Sequence, residues 1–349
     1  MICLNYALAV CFAAACSAAG HDLARLERSF WLNASLASAT LGYWGANFPK
    51  PKGPTAAEIT NAARLLTRNA AANRLYLIYH HELPLEEERE VFLAWRKACP
   101  PEVELVPTLV LRMYDKKQTP VFTADELASL CNFFKSSFRA NHVGVYDIYA
   151  KRDQGPGLAS LAKYFPRGLV RVGLQPGEPL AELFVAAVAD TWSGFCHGRT
   201  NDDWHSPGFG AAMLRKWLAA RNGGAVPVAW DLVTVAWDYS ATKRGEYPGY
   251  DDANKNQPLP AGRNQLAAAD ILATAVPGRL AGFSSDLLIL QLNSASAAHD
   301  GTRGAFYEML KQGRPYDGFY AGPWREIVAI YQALRAGKLA VTGSPPPSR

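Results

Sequence analysis

Three aspartates close runs that read as β-strands: Asp147 in Val145-Tyr146-Asp147-Ile148-Tyr149, Asp190 in Val188-Ala189-Asp190, and Asp231 in Val228-Ala229-Trp230-Asp231. Carboxylates that converge in pairs can do acid/base work, one protonating a leaving oxygen while the other attacks or activates water. An Asp after a strand equally suits capping the next helix, so what matters is which of the three converge. Further polar and aromatic side chains recur at the ends of the other strand-like runs. They are Trp44, His80 and Glu82, Arg112 and Asp115, Tyr149, Gln175, Trp192, Trp237 and Asp238, and Asn293; Trp204 lies in a long connection.

The elements that must position these groups alternate along the chain. Strands are predicted at 41–47, 74–80, 103–112, 142–149, 169–174, 184–190, 226–231 and 286–292. Helical patterns lie between them, at about 55–71, from Pro84, from Thr123, at 157–164, from Pro207, at 263–275 and at 324–334. Thr123 and Glu126 have the spacing of a capping box. The strands are near-continuous apolar runs, as strands covered on both faces should be. Eight such units of about 35–40 residues predict an α/β fold, a single (β/α)8 TIM barrel, whose active face is the C-terminal end of the strands. The longest connections follow strands six, seven and eight, at 191–206, 239–262 and 294–323, and mix aromatics with Asp, Asn and His. An open doubly wound sheet would want a glycine-rich turn after strand one, where this chain has Asn47-Phe48-Pro49-Lys50-Pro51-Lys52-Gly53.

Composition excludes several classes. The 349 residues are 49% hydrophobic and 19% charged, which is globular rather than disordered or collagenous. The net charge of +5 is dispersed, so no nucleic-acid partner is expected. Residues 1–20 form an apolar stretch ending in Ala18-Ala19-Gly20, which reads as a cleaved secretory signal and is interrupted too early for a stable membrane span. The expected location is therefore secreted or periplasmic, with lipidation at Cys16 as a variant. The expected order is signal 1–20, an N-terminal segment 21–40, a barrel over 41–338 and a disordered tail over 339–349. Beyond the signal, Cys99, Cys131 and Cys196 remain, and either Cys99 and Cys131 pair or all three are buried thiols. His80-His81-Glu82-Leu83-Pro84 fails the zinc-protease pattern, since position 85 is Leu and Pro84 breaks the helix. No esterase elbow or phosphate-binding glycine loop is present, and no cofactor or metal is expected.

With these strand-end aspartates and aromatic loops, the chain resembles the secreted (β/α)8 glycoside hydrolases over about 41–338, in architecture rather than in a family-specific motif. Some retaining families of that group, the α-galactosidase-like ones included, place one Asp after strand four and another after strand six. The resemblance thus implies a carbohydrate substrate, with Asp147 as nucleophile or base and Asp190 as acid. Many other barrel glycosidases use Glu after strands four and seven, which this chain lacks, so Asp231 is a rival for either role. The strand-end and loop residues named above would bind the sugar. Two other readings share the barrel. One is a catalytically silent carbohydrate-binding protein that stacks sugars on Trp192, Trp204 and Trp237. The other is a metal-dependent hydrolase using His80, Asp115, Asp147 or Asp231.

Overall fold

The computed structural model describes residues 22–37, 52–79, 83–111, 121–148, 156–166, 168–173, 184–190, 228–232, 280–287, 305–315 and 321–339, with a few single helical residues between 215 and 273. Eight parallel strands close into a barrel in chain order. They are β1 (Glu27–Asn33), β2 (Arg74–Tyr79), β3 (Glu104–Leu109), β4 (Gly144–Ile148), β5 (Gly168–Gly173), β6 (Phe184–Asp190), β7 (Val228–Asp231) and β8 (Leu280–Asp286). Closure is the pairing of β1 with β8, in which Glu27 lies opposite Gly282 and Trp31 opposite Asp286.

Strands β2 to β7 fall where the apolar runs put them. The first and last do not. β1 precedes the expected 41–47 run, which lies outside the described residues, and β8 ends at Asp286, where the expected 286–292 strand was to begin. The reason lies in what each face touches. In β1, Phe30 and Leu32 pack outward under the helices, while Trp31 joins the lumen cluster and Ser29 bonds Ser284 across the β1–β8 seam. In β8, Phe283 packs outward and Ser284 inward. Strands with a polar lumen face do not read as continuous apolar runs, so more apolar neighbouring segments outscored them.

The helices cover the outside. Helix α1 (Ala56–Arg64) starts at a capping box, in which Glu58 accepts from the Thr55 amide at 2.7 Å, and it runs on through a wider turn over Leu65–Asn69. Helix α2 (Leu85–Ala98) has Glu86, Glu87 and Glu88 in its first turn and Arg96 and Lys97 in its last, as the helix dipole favours. Helix α3 (Ala124–Ser136) starts at the expected Thr123–Glu126 capping box. Helix α4 (Pro156–Tyr164) follows β4, and α5 (Ala305–Gln312) and α6 (Ala321–Arg335) follow β8. Trp95 of α2 donates to the Ala34 carbonyl at 2.8 Å, and Tyr331 of α6 donates to the Ser29 carbonyl at 2.7 Å, so both helices are pinned to the barrel wall. Cys99 and Cys131 are buried free thiols, and burial pushes each up to about 12. Among the described residues no helix is long and apolar enough to cross a membrane.

Candidate active site

The described part of the lumen is lined by buried side chains, in layers that differ in chemistry. At the N-terminal end, Arg74 pairs with Glu27 on one side and with Glu104 at 2.6 Å on the other. His142 Nδ1 lies 2.7 Å from Glu104 Oε1, and Tyr76 donates to Glu27 at 3.0 Å. Burial works against a charged Glu104, but the His142 and Arg74 contacts outweigh it and hold the carboxyl down to about 2. Burial, reinforced by Glu27, keeps the Tyr76 phenol protonated far above its ordinary range. This end is a charge-paired plug, and a plug at the N-terminal mouth serves stability.

Above it lies an aromatic layer. Trp31 and Tyr76 are register partners on β1 and β2, and their rings stack at 3.7 Å with 1° between planes. Trp31 Nε1–H donates to Ser284 Oγ at 2.8 Å, and Ser29 donates to the same oxygen at 2.9 Å. Ile78, Val106 and Val110 complete the apolar lining.

At the C-terminal end of β8 is Asp286, 2% exposed. Tyr146 of β4, on the opposite wall of the barrel and 3% exposed, donates its phenolic proton to Asp286 Oδ2 at 2.5 Å. Between Val145 and Ile148 the pairing of β4 with β5 shifts register, with two residues of β4 facing one of β5. That irregularity contains Tyr146 and Asp147, and such bulges re-aim side chains beside active sites. A phenol that donates to a carboxylate makes a charge-assisted bond, stronger than a neutral one.

The sequence-derived candidates divide into two groups. Asp147 lies on β4, and Asp190 and Asp231 are the last residues of β6 and β7, opposite Gly173 and Ser284 in register, so their backbones do stand toward the C-terminal ends. Trp44, His80, Glu82, Arg112, Asp115, Tyr149, Gln175, Trp192, Trp204, Trp237, Asp238 and Asn293 lie outside the described residues, as do residues 1–21 and the loops 191–206 and 239–262. The third expected loop, 294–323, is in part helical, since it holds α5 and the start of α6. Sequence reasoning missed Asp286, because a strand placed six residues late put it at the wrong end of the barrel. The signal was available: Asp286 follows Ser284-Ser285 as Asp231 follows Ala229-Trp230, each closing a strand. It also missed Tyr146, read only as a strand residue. Among the described residues no group of three or more His, Cys, Asp or Glu is placed to hold a metal ion.

No protein-family model matches the chain, and comparison with curated proteins finds no match. Solved structures similar to it include an N-acetylneuraminate lyase from Mycoplasma synoviae, at 11% identity and a TM-score of 0.40 over 82% of this chain and 80% of that one. Another is an N-acetylneuraminate lyase from Fusobacterium nucleatum, at 10% identity and a TM-score of 0.37 over 93% of each chain. At this level the likeness bears on the parallel α/β fold alone. These two proteins are lyases and not glycoside hydrolases, and the expectation of glycoside hydrolysis is corrected on that finding. The physical reason is that the barrel is shared by many unrelated chemistries, so an architectural resemblance carried no reaction with it.

Proposed function

We propose that this protein is a barrel enzyme whose reaction turns on proton transfer to or from a small polar substrate at the C-terminal mouth, with Tyr146 and Asp286 as the relay. The observation that carries this reading is the 2.5 Å bond between them, formed across the lumen between two almost fully buried groups. Tyr146 Oη takes a proton from an acidic C–H or O–H of the substrate as its own proton passes to Asp286 Oδ2. The reverse transfer returns a proton to the product, and the relay ends as it began. The filled layer of Trp31 and Tyr76 beneath the pair confines substrate to the mouth above it.

The test is solvent exchange. The protein is incubated in heavy water with a panel of small hydroxy, oxo and amino acids and sugars, and deuterium uptake is followed by NMR. Wild type should catalyse uptake into at least one compound. Tyr146→Phe and Asp286→Asn should each slow it by about 10²–10⁴, the usual worth of a positioned acid/base group. Unchanged exchange in either variant, or no exchange by wild type across the panel, overturns the proposal.

A further inference from the structure

We propose that Trp31 is the positioning residue of the Tyr146–Asp286 pair, acting through Ser284; this rests on the proton-transfer reading above. Trp31 is linked to both halves of the pair, to Tyr146 by ring contact and to Asp286 through strand register and Ser284. Its ring lies 5.9 Å from the Tyr146 ring, centroid to centroid, at 52°. Its opposite contact is the coplanar Tyr76 ring at 3.7 Å, which leaves the indole no room to retreat. Its backbone is the register partner of Asp286, and its indole N–H bonds Ser284, two residues before Asp286 on the same face of β8. A single rigid side chain thus sets how far the phenol leans over the lumen and where the carboxylate strand stands. Two groups on opposite walls need such a spacer, because a short bond is lost with a few tenths of an ångström of drift.

Ser284 shows that the contact is built for position. Its Oγ receives both the indole N–H and the Ser29 hydroxyl, with the side chain fully buried. The next residue, Ser285, is buried as well, yet its Oγ has no hydrogen-bond partner. The two adjacent serines therefore form a matched pair, one bonded to the spacer and one not.

The experiment reads the bridging proton of the pair by proton NMR, where short O–H···O bonds resonate far downfield, on the full chain. Tyr146→Phe identifies the resonance by removing it. Trp31→Phe, which keeps a ring but loses the N–H, and Ser284→Ala should each move it upfield and speed its exchange with water about fivefold, the factor that one net hydrogen bond carries. Ser285→Ala should leave it in place. A resonance unmoved in both Trp31→Phe and Ser284→Ala, or moved equally by Ser285→Ala, overturns the positioning role while the pair stands. Absence of the resonance in wild type overturns the pair itself. If Trp31→Phe does not fold, the comparison of Ser284→Ala with Ser285→Ala decides.

Discussion

Gly282 of β8 and Glu27 of β1 meet backbone to backbone at the seam that closes the barrel: a Cβ on Gly282 would stand 2.2 Å from the Glu27 carbonyl oxygen. The pairing of β7 with β8 skips Ala281 there, and Gly282 has φ +154, a conformation that side-chain-bearing residues rarely adopt. Gly282→Ala should therefore destabilise the protein by about 3 kcal/mol or more, combining backbone strain with overpacking. Gly337→Ala is the control. Its φ is +67 but a Cβ there meets nothing within 4 Å, so it should cost only about 1–2 kcal/mol. Urea titrations of both variants against wild type measure the difference.

The Tyr146–Asp286 bond should also register in stability. A double-mutant cycle of Tyr146→Phe and Asp286→Asn, measured by chemical denaturation, should give a coupling energy of about 1.5–3 kcal/mol, the range for a hydrogen bond to a charged group. A coupling near zero would mean that the two groups do not hold each other in solution.

Acid should weaken the N-terminal plug in a defined window. Glu104 is held down to about 2 from a usual 4.5, so its charged form is favoured by folding. A depressed carboxylate contributes stability above its unfolded value, and the contribution fades as pH falls toward the folded one. The stability gap between wild type and Glu104→Gln should be widest above about pH 4.5 and shrink toward pH 2. Its ceiling is roughly 3 kcal/mol for a shift of that size, less whatever solvent screens. A gap that stays constant across that range would show that the carboxyl is not held down.

The thiols of Cys99 and Cys131 should resist alkylation in the folded protein. Both are buried and pushed up to about 12, so the reactive thiolate is scarce at neutral pH. Peptide mapping after brief treatment with iodoacetamide should find both unmodified in buffer and both labelled in denaturant. Labelling of either in buffer would place it in contact with solvent.

Much of the scaffold was legible because its signals are local. The strand of Arg74–Tyr79 is an unbroken run of Leu, Ile and Tyr after its first residue, and Thr123 with Glu126 is a spacing that one helical turn dictates. The barrel itself follows from the repeated alternation. The first and last strands were not legible by the same rule, because Glu27, Ser29 and Trp31 alternate with Phe30 and Leu32, and because β8 ends in three polar residues, Ser284, Ser285 and Asp286. Period-two alternation was present in β1, but it competed with stronger apolar runs downstream.

The aspartates at strand ends were also legible, as residues. Which carboxylate has a partner was not. The Tyr146–Asp286 contact joins residues 140 apart in sequence, and no local pattern ranks it above the other strand-end carboxylates. The sequence by itself determined the alternation of strands and helices and the caps that begin α1 and α3, since these depend on neighbours within a few residues. Only the tertiary structure decided the seam between β1 and β8, the register that brings Trp31 level with Asp286, and the reach of Tyr146 across the lumen. Those follow from the closure of eight strands around a common core, a condition that no single segment contains.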